Sequence, residues 1–272
     1  MRLLWRVLGR FLGLLLLALL PFQVHSAPKP DLWPYWLQTD ARSQKLIDHN
    51  EWQSIINTYL VPSGENNFFH YSAVTKEDKQ KLKNYLHKVS LINPLTLNRD
   101  EQFAYWVNLY NALIVNLILD NYPIDSITNL GWLFSFGPWD QNLISINGIK
   151  LTLNDIEHRI LRPIWKDKRI HYVLNCASLG CPNLLPQAFT ASNKESLLII
   201  AERNFIHSQK AVFIDDHKFQ LSAIFSWYVE DFDSQEKGEK GVLEYLATFR
   251  PEIKNQKKMP SYYYNWALND VK

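Results

Sequence analysis

The sequence has little net charge and no long run of charge of one sign. Its 29 basic and 27 acidic residues give a formal charge of +2. Three of the arginines lie in the first 26 residues, which contain no acidic residue, so the remaining chain has a formal charge near −1. A nearly neutral surface exerts little long-range attraction on phosphate backbones. The composition therefore argues against nucleic acid as a partner.

The sequence also has no apolar run long enough to cross a bilayer as a helix. The longest, "FLGLLLLALLPF" over residues 11–22, is shorter than the ~20 residues that a transmembrane helix needs. It follows a basic start and precedes the small residue Ser26, which is typical of a secretory signal peptide. We predict a signal peptide over residues 1–26, export to the periplasm or the exterior, and no transmembrane segment after its removal; the alternative is a retained anchor helix.

Internal repeats and low-complexity segments are absent as well, which predicts a compact fold. The roughly 245 residues after the leader suffice for one large domain or two small ones, and 47% of the chain is hydrophobic. We expect a lead-in with one helix over residues 27–64 and an α+β domain over residues 65–272.

The clearest helical pattern covers residues 101–123, and Pro123 predicts its end. At about 100° per residue the large apolar side chains fall on one side and Glu101, Asn108 and Asn111 on the other. That second side also carries several small apolar residues, which is unusual for a hydrated face. The residues are compatible with an amphipathic surface helix, but we predict that Asn108 and Asn111 are buried and hydrogen-bonded.

Other helices are predicted from periodicity and capping residues. One begins near Arg42, a second begins at Lys76 with Thr75 as its cap, and a short one begins at Asn154, forms a capping box with Glu157, and ends before Pro163. Three more are expected over residues 193–208, 222–232 and 240–249.

Strands are predicted from alternation and turn residues. Asn147-Gly148 predicts a hairpin within residues 143–153, residues 211–222 predict another, residues 169–175 form a β-rich run, and the closing "YYYNWALN" is compatible with a last strand. Because strands joined by tight turns are antiparallel, the chain is predicted to be an α+β single domain, an antiparallel sheet with hairpins flanked by helices.

Four segments occur in a characteristic order: "FAYWVNLYNALIV", "LTLNDIEHRILR", "RIHYVLNCASLGCPNL" and "LSAIFSWYVEDF". They resemble the family catalogued as domain of unknown function 547, over roughly residues 65–268. The resemblance implies membership of a family that has no settled activity. Its motif positions fall here on Trp106, Asn108, Tyr110, Asn111, Glu157, His158, His171, Cys176, Ser178, Cys181, Pro182, Trp227, Asp231 and Phe232.

The chain has only two cysteines, Cys176 and Cys181, and both lie in one short segment. In an exported protein this favours a disulfide between them. So short a loop stabilises the fold by only about 2 kcal/mol. The protein would then be a non-catalytic binding or scaffolding domain.

A second interpretation makes Cys176 a nucleophile, which requires a base or a positive field to favour the thiolate. His171 is the preferred base, although a straight strand would keep it away from Cys176, and His158 is the alternative. Orienting groups would come from Glu157, Glu101 or Asn111, as in thiol hydrolases. The backbone amides of residues 177–180 are candidate oxyanion donors, and substrate-binding candidates are Asn108, His158, Ser178 and Arg162.

A third interpretation is a metal site built from His158, His171, Glu157 and one cysteine, but no HExxH or CxxC spacing supports it. The sequence predicts no metal and no cofactor. Two further side chains suggest specific partners: Arg162, which has the geometry to clamp a carboxylate, and Asp231, whose place near a helix end implies a buried partner. We therefore favour a thiol-dependent hydrolase or acyl transferase of the cell envelope, acting on a small molecule or peptide.

Overall fold

The helices and strands are those of an α+β domain, in a computed structural model that describes residues 28–131, 137–233 and 235–271. The helices are α1 (Asn50–Tyr59), α2 (Lys76–Ser90), α3 (Arg99–Asn121), α4 (Arg162–Trp165), α5 (Lys194–His207), α6 (Ile224–Trp227), α7 (Val229–Phe232) and α8 (Glu239–Leu246). The strands are β1 (Leu60–Ser63), β2 (Asn66–Phe69), β3 (Ile144–Ile146), β4 (Ile149–Leu151), β5 (Val212–Ile214), β6 (Phe219–Ser222) and β7 (Ser261–Tyr263). The predicted signal peptide over residues 1–26 lies outside the described residues. Among the described residues, none of the helices combines the length and apolar character needed to cross a membrane.

Helix α3 is the core of the fold, because almost every side chain from Glu101 to Val115 is buried. The Asn98 side chain caps its start by accepting a hydrogen bond from the amide of Glu101 at 2.9 Å. It ends at Asn121, just before Pro123. The predicted helix is thus confirmed within two residues at each end. Its polar side is as buried as its apolar side, so it is not a surface helix.

The helices before α3 differ in how well their starts were predicted. Helix α2 begins at Lys76, and the Thr75 hydroxyl accepts a hydrogen bond from the amide of Asp78 at 3.1 Å, as expected. Helix α1 begins at Asn50, so the start predicted near Arg42 is wrong. The preceding segment is held in an irregular conformation, and its Leu46 is 80% exposed.

The segment before α4 is a π-helix, Asp155–Leu161, that runs directly into α4. The predicted capping box is wrong, because the Asn154 side chain makes no cap hydrogen bond. Thr152 and Asp155 cap this end instead, through bonds of 3.0 Å from the amide of each to the side chain of the other. The helix also continues past Pro163, since an early position in a helical turn does not need the missing N–H.

Residues 168–172 form a 3-10 helix, so the strand predicted over residues 169–175 is wrong. The Asp167 side chain caps this turn by accepting a hydrogen bond from the amide of Arg169 at 2.9 Å. The residues from Ile170 to Asn175 are all buried, and a short, fully buried apolar run has no periodicity that separates strand from helix.

Three small sheets replace the single sheet that the sequence predicts. The hairpin of β3 and β4 is confirmed, with positive φ angles of 51° at Asn147 and 77° at Gly148. The hairpin of β5 and β6 is confirmed too. Strand β7, however, pairs parallel to β6. Helices α6 to α8 lie between these two strands, which gives the connection the length that a parallel crossover needs.

Candidate functional site

The thiol of Cys176 lies in a loop, residues 175–181, that we call the cysteine loop. Its Sγ atom is 3.0 Å from Tyr264 Oη and 3.1 Å from Ser178 Oγ. Ser178 also donates to Tyr264 Oη at 3.0 Å. Cys176 is half-buried, whereas Ser178 is fully buried. Two hydroxyl groups therefore contact the sulfur of a residue that is only partly buried.

Cys181 lies directly behind Cys176. The backbone amide of Cys176 donates to Cys181 Sγ at 2.9 Å, and this thiol donates to the carbonyl of Leu174 at 3.6 Å. Both cysteines are free thiols in the structure. The structure thus contains the reduced pair and not the disulfide that the expected compartment favours.

The surroundings of the two thiols move their pKa values in opposite directions. Burial alone would raise the pKa of Cys176, but hydrogen bonds from Cys181, Ser178 and Tyr264 outweigh it and lower the pKa below that of an ordinary thiol. Burial and the neighbouring Cys176 sulfur raise the pKa of Cys181 well above the usual value. Burial and the sulfur of Cys176 likewise raise the pKa of Tyr264. Tyr264 therefore stays protonated and can donate to a Cys176 thiolate.

The backbone around Cys176 is unusual. Ala177 has a φ of 58°, a left-handed conformation that costs an L-residue roughly 1–2 kcal/mol. Strain of this kind persists where the surroundings over-determine it, and it is common at functional sites. A Cβ atom at Gly180 would lie 2.7 Å from the backbone nitrogen of Asn265, so only glycine fits against the chain that carries Tyr264.

The amides of residues 177–180, which were expected to form an oxyanion site, already have acceptors. Ala177 donates to the Asn175 side chain, Leu179 to the carbonyl of Ala267, and Gly180 to that of Asn265. The Ser178 amide is directed at the Cys176 sulfur, whose pKa it lowers. That expectation is therefore wrong for three of the four amides. The hydroxyl oxygens in contact with the sulfur belong to Tyr264 and Ser178.

A second group of side chains forms a buried charged network that joins the π-helix, the 3-10 helix and α7. Asp231 Oδ2 lies 2.6 Å from both His171 Nε2 and Arg162 Nε. Arg162 Nη1 is 2.9 Å from His158 Nδ1, and His171 Nδ1 is 3.7 Å from Glu157 Oε1. The carboxylate expected for Arg162 and the buried partner expected for Asp231 are confirmed, since each is the partner of the other. Glu157 and His158 lie on the π-helix, and π-helical turns are frequent at functional sites.

The network carries strongly shifted pKa values. Burial opposes the charge on Glu157, yet His158, His171 and Arg162 lower the pKa of its carboxyl to about 2. The pKa of Asp231 is also lowered to about 2, because hydrogen bonds from His171 and Arg162 outweigh the effect of burial. Burial lowers the pKa of His158 to about 4, against the pull of Glu157. At neutral pH both carboxylates are ionised and His158 is neutral.

No hydrogen bond joins His171 to Cys176, although both residues are described. The His171 ring stacks on Tyr228 at a centroid distance of 4.0 Å, and its nitrogens face carboxylates. Tyr110 connects the two regions. Its hydroxyl donates to Glu157 Oε2 at 3.1 Å, and burial, the Glu157 carboxylate and the Cys176 sulfur all raise its pKa. The network and the thiol are thus neighbours without direct contact.

Asn108 and Asn111 of α3 are buried and hydrogen-bonded, as predicted. The Asn111 amide donates to the carbonyl of Val173 at 2.9 Å and accepts from the amide of Asn175 at 2.9 Å. Asn108 makes the same pair of bonds with the backbone of Phe189, at 2.8 and 2.9 Å. Asn111 therefore anchors the backbone that leads into the cysteine loop, and neither asparagine faces the sulfur.

Glu101 lies elsewhere, behind a cleft of about 500 Å³. Its carboxylate accepts hydrogen bonds from the amide of Ile47 at 2.7 Å and from that of Ala191 at 3.3 Å. Ile47 lines the cleft and Ala191 follows the lining residue Thr190, so Glu101 links two segments at the cleft. Its partners are backbone amides and not a catalytic histidine. The cleft is lined by Leu46, Ile47, Asp48, His49, Asn50, Gln53, Gln187, Ala188, Thr190 and Asn193.

Tyr264 is the site residue that the sequence analysis missed. It belongs to the run "YYYNWALN", whose pattern indicated a strand and gave no sign of contact with a cysteine 88 residues away. Its neighbour Trp266 and the distant Trp227 pack around it, with ring centroids 4.5 and 4.8 Å away. Among residues 28–131, 137–233 and 235–271, no group of three or more His, Cys, Asp or Glu side chains is arranged to hold a metal ion.

Comparison with known proteins gives a family match over part of the chain. No curated protein and no solved structure shows significant similarity to it. The model of the family described as "Protein of unknown function, DUF547" matches residues 94–206, which include α3, the π-helix and the cysteine loop. This match confirms the resemblance over the middle of residues 65–268. Residues 94–206 of the chain therefore form a region that matches the DUF547 family.

Proposed function

We propose that this protein is an exported, cysteine-dependent hydrolase or acyl transferase of the cell envelope, with Cys176 as its nucleophile. One observation carries the proposal: a half-buried thiol whose pKa is lowered by the hydrogen bonds of Cys181, Ser178 and Tyr264, against the effect of burial. Reactive cysteines occur in such partly exposed sites, where the thiolate is stabilised. The export part of the proposal is supported by the pattern of residues 1–26.

The reaction would begin from the thiolate without a separate base. Cys176 Sγ attacks the carbonyl carbon of an ester or amide, and a C–S bond forms while the carbonyl oxygen becomes an oxyanion. When that intermediate collapses, the bond to the leaving group breaks and the leaving group takes a proton from solvent. Water or an acceptor nucleophile then cleaves the thioester, which releases the acyl group and restores the thiolate.

The side chains near the sulfur suit two steps of this sequence. Tyr264 remains a hydrogen-bond donor because its pKa is raised, so it can stabilise the thiolate before attack and the oxyanion after it. The role of base that the sequence suggested for His171 is not needed for the first step. His171, with Asp231 and Arg162, instead fixes the position of the π-helix that carries Glu157.

A non-catalytic binding domain is the second candidate, and the cleft next to Glu101 favours it. Its volume of about 500 Å³ is in the range of small-molecule sites, and its lining residues do not include Cys176. A protein that only binds a small molecule or peptide there would not need a reactive thiol. The two candidates therefore differ in what they predict for Cys176.

Labelling with iodoacetamide tests the nucleophile. At pH 7 Cys176 should react faster than free cysteine, because its lowered pKa raises the fraction of thiolate. Cys176→Ser should abolish the labelling, while Cys181, with its raised pKa, should stay unlabelled in the folded protein.

A second readout tests acyl transfer itself. Mixing the chain with p-nitrophenyl acetate should give a burst of p-nitrophenolate, about one equivalent per chain, as a thioester accumulates. Labelling no faster than that of free cysteine, together with the absence of a burst, would leave the binding domain as the better description.

A further inference from the structure

We propose that Cys176 and Cys181 form a peroxide-reactive pair, in which a hydroperoxide oxidises Cys176 and Cys181 then closes an intramolecular disulfide. This inference goes beyond acyl transfer. It requires only that Cys176 is a thiolate and that Cys181 can reach it, so it does not depend on any substrate of the proposed enzyme.

The two sulfurs are arranged for an ordered reaction. Cys176 is half-buried, whereas Cys181 is only 4% exposed, so Cys176 is the more accessible residue of the pair. The Cys181 sulfur accepts a hydrogen bond from the amide of Cys176 at 2.9 Å, and the two thiols are hydrogen-bonded to each other. An oxidant therefore meets Cys176 first, and the second sulfur is already in contact.

The chemistry balances with the hydroperoxide as the only co-reactant. The Cys176 thiolate attacks one peroxide oxygen, the O–O bond breaks, and the departing hydroxide or alkoxide takes a proton from solvent, which leaves a sulfenic acid. Cys181 Sγ then attacks the sulfenic sulfur. An S–S bond forms, the S–O bond breaks, and the hydroxide leaves as water with the thiol proton. Each sulfur gives up one of the two electrons that reduce the peroxide.

Oxidation of Cys176 also prepares Cys181 to react. Besides burial, the hydrogen bond and the negative charge of Cys176 keep Cys181 protonated. A sulfenic acid is neutral, so the charge disappears after the first step. Lys210 adds a positive charge nearby. Burial lowers the pKa of Lys210 to about 8, although the two sulfurs act to raise it. Its Nζ lies 2.8 Å from Asn183 Oδ1. The loss of the Cys176 charge and the positive charge of Lys210 both favour the Cys181 thiolate after the first step.

The disulfide would protect the nucleophile and silence it at the same time. A sulfenic acid left alone oxidises further to irreversible sulfinic acid, whereas a disulfide is restored by thiols. In an oxidising compartment the protein would thus be active only where reductant is supplied.

The test uses the full chain, reduced and then treated with hydrogen peroxide. The wild type should lose both thiols and about 2 Da without forming dimers, and dithiothreitol should reverse the change. Cys181→Ser should instead gain about 16 Da and react with dimedone at residue 176. Cys176→Ser should keep its thiol at least about tenfold longer, because the remaining thiol is mostly protonated.

Folding of the variants is checked by circular dichroism, and Cys181→Ala replaces Cys181→Ser if the serine disturbs the core. A wild type that gains mass as sulfinic acid, or that forms the disulfide only between chains, overturns the proposal. Iodoacetamide labelling of Cys176 with no peroxide-driven disulfide would remove this inference and leave the acyl-transfer proposal intact. A peroxide-driven disulfide without any acyl burst would support this inference and count against the acyl-transfer proposal.

Discussion

At the scale of single residues, the site depends on which hydrogen-bond donors reach one sulfur. The residue types of "NCASLGCP" pointed to Cys176 as a candidate, because both cysteines of the chain lie in this segment. They were not enough to identify its partners. Ser178 lies two residues away and was found, whereas Tyr264 lies 88 residues away, and no periodic pattern in one sequence reports a contact over that distance.

Replacing Tyr264 tests its role as a donor to the thiolate. Tyr264→Phe removes one hydroxyl and keeps the ring, so the pKa of Cys176 should rise by about one unit, since a hydrogen bond to a charged group contributes roughly 1.5–3 kcal/mol. The midpoint of the iodoacetamide labelling rate against pH measures this shift. Tyr263→Phe is the matched control, because Tyr263 is 57% exposed and should leave the midpoint in place. Equal midpoints in both variants would show that Tyr264 only packs against the sulfur.

At the scale of elements, α3 acts as the frame on which the irregular segments are fixed. Its buried polar side chains bond to backbone groups of three separate segments: Glu101 to residues 47 and 191, Asn108 to residue 189, and Asn111 to residues 173 and 175. Periodicity predicted the helix and the unusual composition of its polar side. The irregular segments were predicted less well, since residues 169–175 take their conformation from these bonds and from the Asp167 cap rather than from β propensity.

A pair of matched substitutions separates anchoring of the cysteine loop from general stability. Asn108→Ala and Asn111→Ala each remove two hydrogen bonds and leave buried backbone groups unpaired, so each should lower the free energy of unfolding by about 2–4 kcal/mol. Only Asn111→Ala should also change the pH midpoint of Cys176 labelling, because only Asn111 holds the backbone at Val173 and Asn175. Urea unfolding and labelling at several pH values measure the two effects. A shifted midpoint in both variants would mean that the thiol responds to loosening anywhere in the core.

At the scale of the whole molecule, the fold stabilises ionised carboxylates and neutral histidines in its interior. The fold class, most helices and both predicted hairpins follow from local patterns. The charged network does not, because its members Glu157, Arg162, His171 and Asp231 come from four elements. Sequence reasoning could only suggest that Arg162 and Asp231 have partners. The parallel pairing of β7 with β6 was missed for a similar reason, since the strands are far apart in the chain.

The free energy of unfolding should fall as the pH falls below neutral. Burial lowers the pKa of both His49 and His158 from 6.5 to about 4, so between these values the unfolded chain binds more protons than the folded one. Stability therefore decreases from pH 7 to pH 5, by about 2–4 kcal/mol for the two histidines together. Below about pH 4.5, protonation of Glu157 and Asp231 in the unfolded chain adds to the loss.

Urea unfolding at pH 7 and pH 5 measures this difference. His158→Gln should remove about half of it, since one of the two buried histidines then no longer titrates, whereas His217→Gln at an exposed position should not change it. A wild type that becomes more stable on acidification would contradict the burial of neutral histidines.

The distance along the chain between Cys176 and Tyr264 has a consequence for newly made and refolding protein. A thiol whose acidity depends on groups from remote segments is an ordinary thiol until those segments meet, and contacts of long sequence separation form late. Incompletely folded chains would then react only slowly with esters and peroxides. The rate at which a thiol reagent labels Cys176 during refolding would therefore report the last stage of folding.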